Sequence, residues 1–227
     1  YPVKNTQSKS VDLSLDTEFN FLCIAMLGPR KNIENTVEWF LQEFKDNEDV
    51  GLVLKISSGR SCIIDRENTM QKLQKIIKNH KDTAKCRVYL LHGNLTQEEM
   101  VGLYTHSKIK ALVSATHGEG FGLPLFEAAA NGLPIVATDW SAHPEFLVGK
   151  IKEGKKTKEK KLFAKVDYVL DTIPETAVWE KILVKDSKWA YPKENSFKSQ
   201  LRKVYKDYGM YKKWANSLCL NIKEKYA

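Results

Sequence analysis

The sequence has little cysteine and lacks long apolar runs. Its four cysteines show neither a Cys-x-x-Cys pair nor the density of a disulfide-rich scaffold. Cys23 and Cys86 fall within apolar strand patterns, so we predict that they are small core residues. The sequence has no run of 18 apolar residues and no signal-peptide core, so it predicts no transmembrane helix. From these absences we expect a reducing compartment, the cytoplasm, with at most a peripheral place at a membrane.

Patterns that mark metal sites and nucleophilic triads are also missing. No His, Cys and Asp residues stand at metal-ligand spacing, and no Ser-His-Asp arrangement can be argued from the sequence. No internal repeat is found, so a solenoid or propeller is not predicted. We therefore expect neither a bound metal nor a resident cofactor.

The net charge of +8 is concentrated in two segments. Residues 150–161 carry 7 Lys and Arg against 2 Asp and Glu, and residues 188–227 carry 10 against 3. We interpret residues 150–161 as a flexible basic surface loop. Such an excess can attract anionic membrane or nucleic acid, but a solubilising loop and solvated helix faces explain it as well. We expect at most a weak contact with an anionic membrane, through this loop and the tail, and no nucleic-acid partner.

Apolar strands alternate with helical patterns over most of the chain. The predicted strands are residues 19–26, 50–56, 87–91, 111–116 and 134–140, with a further edge strand at 162–170. Helices are predicted at residues 33–44, at 65–80, and from Thr96, which forms a capping box with Glu99. This order predicts an α/β fold, a Rossmann-like doubly wound parallel sheet with right-handed crossovers.

The tail is predicted to form two amphipathic helices. Apolar residues recur at positions 197, 201, 204, 205 and 208, and again at 211, 214, 215, 218 and 222. Gly209 is predicted to separate the two helices. We assign residues 1–18 to a linker, 19–190 to the sheet domain, and 191–227 to a helical tail that packs on the same domain.

The stretch from Ala111 to Glu145 organises the rest of the chain. After its first strand, three glycines permit a tight turn and a close approach of backbone to a ligand: Gly118, Gly120 and Gly122. Leu123-Pro124 opens a helix, because proline is favoured in the first helical turn, and Asn131-Gly132 closes it.

Two carboxylates, Glu119 and Glu127, stand eight residues apart in this unit. In a doubly wound sheet the preceding loop lies at the carboxyl ends of the strands, where ligands bind. A helix start presents free N–H groups and a partial positive charge, which suit a phosphate. Two acidic acceptors beside a phosphate suit the hydroxyls of a ribose and a sugar, so these residues predict a nucleotide-sugar site. The alternative is an ordinary strand–turn–helix unit with solvated glutamates.

The segment EGFGLPLFE, followed by AAANGLPIVATD, resembles the E-x7-E segment of retaining GT-B glycosyltransferases of the glycosyltransferase family 4 type. The resemblance implies that the chain is the C-terminal, donor-binding half of a longer enzyme whose N-terminal acceptor domain lies outside it. It also implies retaining transfer of a hexose-like unit from a nucleotide-diphosphate sugar to a hydroxyl acceptor. Without an acceptor half, we expect the isolated chain to be weakly active or inactive.

The resemblance also assigns roles to residues of the site. Glu119 would accept hydrogen bonds from sugar hydroxyls, and Glu127 from the ribose. The diphosphate and sugar would be held by the backbone N–H groups of Gly120, Phe121, Gly122 and Leu123. The base would lie at the end of the third strand, an assignment that rests on position alone, against His92, Gly93, Asn94 and Leu95.

Enzymes of this family generally neutralise the departing diphosphate with basic side chains and a helix start. The family commonly places an arginine several residues before a lysine after the first strand, but the residue six before Lys31 is Ala25. We therefore assign Arg30 to this role and place Arg30, Lys31 and Glu119 in the catalytic set. Lys55 would add to the donor site. The alternatives are a solvated turn for Arg30 and a snorkelling side chain for Lys55.

The remaining histidines and tryptophans receive weaker assignments. We give His117 a supporting or turn role instead of that of a catalytic base, and His143 an acceptor-side or structural role. Trp140, Trp179 and Trp189 are assigned to the core or to packing at the cleft rim.

Two other functions remain open from the residues. One is another GT-B enzyme, such as a sugar-nucleotide epimerase; a phosphorylase would need a pyridoxal lysine, which no motif marks. The second is a non-catalytic module that binds nucleotide, membrane or nucleic acid on a Rossmann scaffold.

Overall fold

The computed structural model describes residues 6–80, 83–179 and 182–226. Its strands are β1 Phe19–Met26, β2 Val50–Ser57, β3 Arg87–Leu90, β4 Ile109–Ser114, β5 Ile135–Thr138, β6 Val148–Glu153, β7 Lys156–Lys161, β8 Ala164–Val166, β9 Tyr168–Thr172 and β10 Lys188–Pro192. Its α-helices are α1 Ile33–Phe44, α2 Ile63–Ile77, α3 Gln97–Thr105, α4 Leu123–Ala130, α5 His143–Phe146, α6 Glu194–Lys206 and α7 Tyr208–Tyr226. Short 3-10 turns occur at Pro29–Lys31, Lys78–His80 and Glu175–Ala177.

The main sheet is parallel throughout its described strands, in the order β3-β2-β1-β4-β5-β8. Successive strand residues point to opposite faces. Phe21 therefore packs with α1, α2 and α6 on one face, whereas Leu22 packs with α3, α4 and α7 on the other. Because both faces are covered by helices, the α/β doubly wound prediction is confirmed.

The local sequence patterns match the first half of the fold closely. β1 has the predicted bounds, and α1 buries Ile33, Val37, Phe40, Leu41 and Phe44 at the predicted helical spacing. Thr96 accepts a hydrogen bond from the backbone of Glu99, and the Glu99 carboxylate accepts one from the backbone of Thr96, which confirms the capping box. The strands predicted at 111–116 and 134–140 are β4 and β5, with bounds shifted by up to two residues.

The prediction of a flexible basic loop at residues 150–161 is wrong. This segment forms most of an antiparallel hairpin, β6–β7, whose tip contains Gly154 with φ of 61°. The hairpin lies on α7: Ile151 is buried, and the Asn221 side chain hydrogen-bonds both the N–H and the C=O of Lys150, at 3.0 and 3.1 Å. The sequence did not predict these two strands because few of their side chains face the core, so the segment lacks alternating apolar residues.

The strand predicted at residues 162–170 is two strands. β8 is the edge strand of the main sheet, next to β5, but β9 leaves the sheet and pairs with β10 instead. The chain turns between them at Asp167, whose N–H donates to Ser196 Oγ and whose C=O accepts from the N–H of Lys193. These bonds fix Asp167 to the start of α6 and end the pairing with β5.

The tail forms the two predicted helices, but Gly209 does not separate them. The break lies at Asp207, and Gly209 is in the first turn of α7. α6 packs on α1, with Phe197 against Trp39 and Arg202 ion-paired with Glu43 at 2.6 Å. α7 packs on α4 and β6.

Residues 6–18, assigned to a linker, run along the domain without helix or strand. Leu15 and Thr17 are buried, and the Lys9 N–H donates to Glu98 O at 3.0 Å. The Lys9 ammonium also lies 2.7 Å from the Glu99 carboxylate. This segment therefore contacts α3 along part of its length.

Candidate functional site

Glu119 lies between two cations at the carboxyl ends of β1 and β4. Its carboxylate is 2.6 Å from Lys31 Nζ and 3.2 Å from Arg30 Nη1, and Arg30 also donates to the carbonyl oxygen of Gly118. Burial raises the pKa of Glu119, but the Lys31 hydrogen bond and the charges of Lys31 and Arg30 outweigh it, so the pKa lies below its usual value. The three predicted catalytic side chains thus form one ion cluster.

The glycine-rich turn leads from this cluster into α4. Gly122 caps the helix with φ of 88°, a left-handed conformation that favours glycine, and Pro124 occupies the first turn. A side chain at Gly120 would meet no atom within 4 Å. The Phe121 ring packs against Phe126 and Phe146, with centroids 5.4 and 5.2 Å apart. The turn is therefore anchored by one aromatic ring, while its backbone and the helix start at Leu123 remain close to Glu119.

Ser141 was not predicted from the sequence as a site residue. The N–H of Glu119 donates to Ser141 Oγ at 3.0 Å, and the Ser141 hydroxyl donates to the carbonyl oxygen of Glu119. Ser141 also has φ of 80°, which is uncommon for a residue with a side chain. It links the loop after β5 to the glycine-rich turn, and no sequence pattern marks this pairing.

Glu127 lies in α4 and contacts a second residue that the sequence did not indicate. The Tyr104 hydroxyl donates to Glu127 Oε2 at 2.8 Å. Burial raises the pKa of Glu127, although the Tyr104 hydrogen bond acts in the opposite direction. The same burial, with the Glu127 charge, raises the pKa of Tyr104. Glu127 does not belong to the ion cluster and is held in a separate, less charged environment.

The residues predicted to face the base lie in the loop after β3, which is tied to the loop after β2. Lys55 donates to the carbonyl oxygen of Gly93, and Ser61 Oγ donates to Asn94 Oδ1 at 2.6 Å. Burial lowers the pKa of Lys55. The Lys55 side chain thus lies beside Gly93 in the loop after β3, which also contains Leu95. Among the described residues, Lys55 forms no ion pair with Glu119.

Asp65 is the buried residue that organises these two loops. Its carboxylate accepts hydrogen bonds from the N–H groups of Ser58 and Arg60, at 2.9 and 3.0 Å. His92 Nε2 lies 3.4 Å from the same carboxylate. The sequence placed Asp65 only at the start of a helix, because the folding of its carboxylate back onto residues 58–60 is not a local pattern.

His117 joins the glycine-rich turn to β10. Its Nδ1 is 2.9 Å from Ala190 O, its ring stacks on Trp189 at 5.2 Å, and its carbonyl accepts from the N–H of Ala190 at 3.1 Å. Burial lowers the pKa of His117, against the effect of the Ala190 hydrogen bond. These contacts agree with the supporting role predicted for it.

His143 is fully buried behind Gly122. Its Nε2 donates to Thr138 O at 2.7 Å, while its Nδ1 has no hydrogen-bond partner among the described residues. A side-chain carbon at Gly122 would lie 3.3 Å from His143 Cβ, so the histidine fills the space below the helix cap. Of the two roles left open for His143, the structural one fits these contacts.

The three tryptophans with packing assignments differ in exposure. Trp189 is buried, whereas Trp140 is 37% and Trp179 is 65% exposed. Trp140 packs against Tyr168, with ring centroids 5.4 Å apart. Core packing therefore fits Trp189 alone, and Trp179 lines a cavity together with Ala25 and Met26 at the carboxyl end of β1.

Within residues 6–80, 83–179 and 182–226, no three His, Cys, Asp or Glu side chains come together in a way that could hold a metal ion. In the same ranges, no helix combines the length and apolar character needed to cross a membrane.

Comparison with known proteins gives one family match and several relatives. Residues 5–172 match the family model described as "Glycosyl transferases group 1". A stretch of 120 residues is 29% identical to the serotype-specific mannosyltransferase WbdA of Escherichia coli, covering 53% of this chain and 13% of that protein. The chain thus spans a small part of the length of this curated relative.

Solved structures share the fold over nearly the whole chain. The C-terminal domain of a glycosyl transferase group 1 family protein (LpcC) from Francisella tularensis has a TM-score of 0.63 at 18% identity, covering 100% of this chain and 95% of that domain. The pneumococcal O-GlcNAc transferase GtfA, solved in complex with UDP and GlcNAc, has a TM-score of 0.51 at 18% identity, covering 97% of this chain and 37% of that one. The chain therefore has the fold of a GT-B C-terminal domain.

Proposed function

Because the chain belongs to the family of glycosyl transferases group 1, we propose that it is the donor-binding domain of a retaining GT-B glycosyltransferase of the family 4 type. Its ligand is a nucleotide-diphosphate sugar, from which the full enzyme transfers a hexose-like unit to a hydroxyl acceptor. The observation that carries this proposal is the cluster of Glu119, Arg30 and Lys31 at the start of α4.

The cluster supplies the charges that a diphosphate requires. Arg30 is 38% exposed and is held by a 3.2 Å contact with Glu119 and by a hydrogen bond to the Gly118 carbonyl oxygen. A partly exposed ion pair is worth little, so the main cost of turning Arg30 toward a phosphate is the loss of the Gly118 hydrogen bond. Lys31, with 18% exposure, stays on Glu119 at 2.6 Å and adds its positive charge to the site. The α4 N-terminus contributes a partial positive charge of about half an elementary charge.

The two glutamates bind different parts of the donor, its sugar and its ribose. Glu119, which has a depressed pKa, remains an ionised acceptor for sugar hydroxyls beside the cations. Glu127, held by Tyr104 at 2.8 Å, accepts from the ribose. The nucleobase lies in the loop of His92, Gly93 and Asn94, which lies beside Asp65 and accepts a hydrogen bond from Lys55.

In the proposed transfer, the acceptor hydroxyl oxygen forms the new bond to the anomeric carbon. The bond from that carbon to the diphosphate oxygen breaks, and its electron pair stays on the diphosphate. The hydroxyl proton passes to the departing diphosphate oxygen. Arg30, Lys31 and the α4 start stabilise the negative charge that develops there, in the manner of preorganised donors.

The partner of this domain is an N-terminal acceptor domain. The 13% coverage of WbdA and the 37% coverage of GtfA support this, because both proteins are longer than this chain. Residues 1–227 alone are expected to bind donor and to transfer poorly, since a large part of the acceptor surface belongs to the other domain.

A thermal-shift panel tests the donor site directly. UDP, GDP, ADP and their common sugar conjugates are added without metal to the wild-type chain and to Glu127→Ala and Arg30→Ala. A ligand at 100 times its dissociation constant adds about 2.7 kcal/mol to the free energy of unfolding, which a melting curve resolves. We expect one base to stabilise the wild type, and both variants to lose most of that shift.

Arg202→Ala is the matched control, because Arg202 pairs with Glu43 on the α1–α6 surface, away from the site. It should respond to the nucleotide as the wild type does. The proposal fails if no nucleotide stabilises the wild type at millimolar concentration, or if Arg30→Ala and Arg202→Ala respond alike.

A weak membrane contact is a second proposal, carried by the β6–β7 hairpin. The exposed strand β7 presents Lys156 and Lys158 along its length. Each basic residue near an anionic surface contributes about 1 kcal/mol, which salt screens. We expect sedimentation with vesicles containing phosphatidylserine at low salt, and its loss when Lys156 and Lys158 are changed to Glu. Equal sedimentation with neutral phosphatidylcholine vesicles would contradict this contact.

A further inference from the structure

A cavity of about 640 Å³ adjoins the ion cluster. On one side it is lined by Arg30, Lys31 and Pro124, at the loop after β1 and the start of α4. Its other side comes from residues 173–187, the segment between β9 and β10, which we call the strap. The size falls within the range of small-molecule sites, which extends from about 300 to 1,000 Å³.

The strap is fixed to the glycine-rich turn through its base. At that base the Ile173 N–H donates to Ser187 O at 3.0 Å, and the adjoining β10 is bound to His117 through Ala190 and Trp189. His117 is two residues before Glu119. The strap and the donor site therefore share one support.

The described part of the strap presents an aromatic face to the cavity. Trp179 lines the cavity and is 65% exposed, and its backbone exchanges two hydrogen bonds with that of Leu183, at 3.0 and 2.7 Å. Val178 and Leu183 line the cavity beside it. One wall of the cavity is thus aromatic and aliphatic. The opposite wall combines apolar residues, such as Met26 and Leu27, with the two cations Arg30 and Lys31.

A pyranose ring matches these two walls. It has a face of C–H bonds, which packs on an aromatic ring, and an edge of hydroxyls, which need polar partners. A nucleobase fits the position less well, because its proposed loop follows β3, two strands from β1 in the sheet. Two strand spacings amount to about 10 Å.

We propose that Trp179 is the platform of an acceptor subsite for a carbohydrate. The pyranose ring of the acceptor packs on the indole and directs a hydroxyl toward the donor sugar at Glu119. This inference rests on the proposed glycosyl transfer and adds to it a substrate class and a part of the acceptor site carried by this domain.

The test uses the chain labelled with 5-fluorotryptophan and followed by fluorine NMR. Its five tryptophans give separate resonances, and Trp179→Phe assigns the one from the strap. The probes are methyl α-mannopyranoside, methyl α-glucopyranoside and methyl N-acetylglucosaminide, each titrated with and without the nucleotide that the thermal-shift panel identifies. We expect at least one glycoside to move the Trp179 resonance saturably and to leave that of Trp214 unchanged.

Ile182 provides the matched control, because it is 63% exposed on the same strap but does not line the cavity. Saturation-transfer NMR should show about tenfold weaker glycoside binding in Trp179→Ala, the size of one aromatic contact, and unchanged binding in Ile182→Ala. Both side chains are exposed, so neither variant should unfold the domain.

Three outcomes would overturn the subsite. They are the absence of any glycoside effect on Trp179, an equal loss in both variants, and a Trp179 shift caused by nucleotide alone. An equal loss would show that glycoside binding depends on the strap as a whole and not on the Trp179 ring, and a nucleotide shift would indicate a base platform. If glycosides bind as expected while no nucleotide does, the subsite stands and the donor proposal fails.

Discussion

The Lys31 ammonium lies 2.6 Å from the Glu119 carboxylate, although 88 residues separate the two in sequence. The pair forms because β1 and β4 are neighbours in the parallel sheet, which brings the loops after them to the same edge. The carboxylate is paired with the two cations that we propose as ligands of a phosphate. If that proposal holds, Glu119 both brings these cations together and competes with an anionic ligand for them.

Glu119→Gln should weaken the fold at neutral pH and much less in acid. Because the folded-state pKa of Glu119 is depressed, its stabilisation is present above the usual glutamate pKa and is lost as pH falls through the lower folded value. Arg30 is partly solvated, so we expect a cost of only about 1–2 kcal/mol at pH 7. Urea unfolding of the wild type and the variant at pH 7 and at pH 3.5 measures this difference in the free energy of unfolding. An equal difference at both pH values would contradict an origin in the depressed pKa of Glu119.

The same Glu119→Gln variant distinguishes two proposed effects of Glu119, its competition with phosphate for the cations and its recognition of the sugar hydroxyls. Inorganic pyrophosphate should bind several-fold more tightly, because the neutral amide no longer holds Arg30 and Lys31. The advantage of a nucleotide sugar over its nucleoside diphosphate should shrink, because the sugar hydroxyls lose a charged acceptor. Calorimetric titration of the three ligands gives both quantities. Weaker pyrophosphate binding would show that Glu119 positions the cations more than it blocks them.

Glu127→Gln should make the folded domain more stable and its binding of nucleotide weaker. Burial raises the pKa of Glu127, so its ionised form destabilises the folded state, and this penalty grows as pH rises through the raised value. The amide carries no charge and can still accept the Tyr104 hydroxyl. We expect a higher Tm than wild type at pH 8, a smaller difference at pH 5, and nucleotide binding weaker by about 1.5–3 kcal/mol. Tyr104→Phe, which leaves the carboxylate in place, should not raise the Tm.

Gly51→Ala tests the packing beneath the amino end of the sheet. A side-chain carbon at Gly51 would lie 2.1 Å from Asn20 Oδ1 and 2.6 Å from Thr17 Oγ1, and both of these residues are buried. We expect a loss of about 1–3 kcal/mol, the usual range for overpacking. Gly28→Ala is the control, since its backbone is extended and no atom lies within 4 Å of the added carbon. Equal melting temperatures for the two variants would contradict this packing.

The cysteines should differ in reactivity by location. Cys62 is exposed, whereas burial raises the pKa of Cys23 to about 12 and that of Cys86 to about 11. Ellman's reagent at pH 8 should therefore modify Cys62 rapidly, and Cys23 and Cys86 only after unfolding. Cys62→Ser should remove the fast phase.

The same labelling locates the nucleobase. Cys62 follows Ser61, which hydrogen-bonds Asn94 in the proposed base loop at 2.6 Å. The nucleotide that stabilises the chain should slow the modification of Cys62. An unchanged rate at saturating nucleotide would place the base elsewhere.

Much of the site could be predicted from the sequence because its parts are local patterns. Apolar runs bounded by breakers place the strand ends, and a parallel sheet brings the loops after β1 and β4 to one edge. The spacing of Glu119 and Glu127 around GFGLP marks the proposed ligand-binding turn within nine residues. Arg30 and Lys31 could be assigned by their position after β1, even though their spacing departs from that of the resembled family.

The tertiary structure decided the features that depend on residues distant in sequence. The lysine-rich residues 150–161 showed no alternation of apolar and polar residues that would predict a strand. The β6–β7 hairpin is stabilised instead by contacts with α7, including those of Asn221. Tyr104, Ser141 and Asp65 have no motif, and their roles follow only from the atoms that folding brings beside them. Thus the sequence by itself determined the order of elements and the chemistry of the central turn. Long-range packing decided which cations meet Glu119, and it placed Trp179 in one cavity with Arg30 and Lys31, because such contacts join segments that local patterns cannot relate.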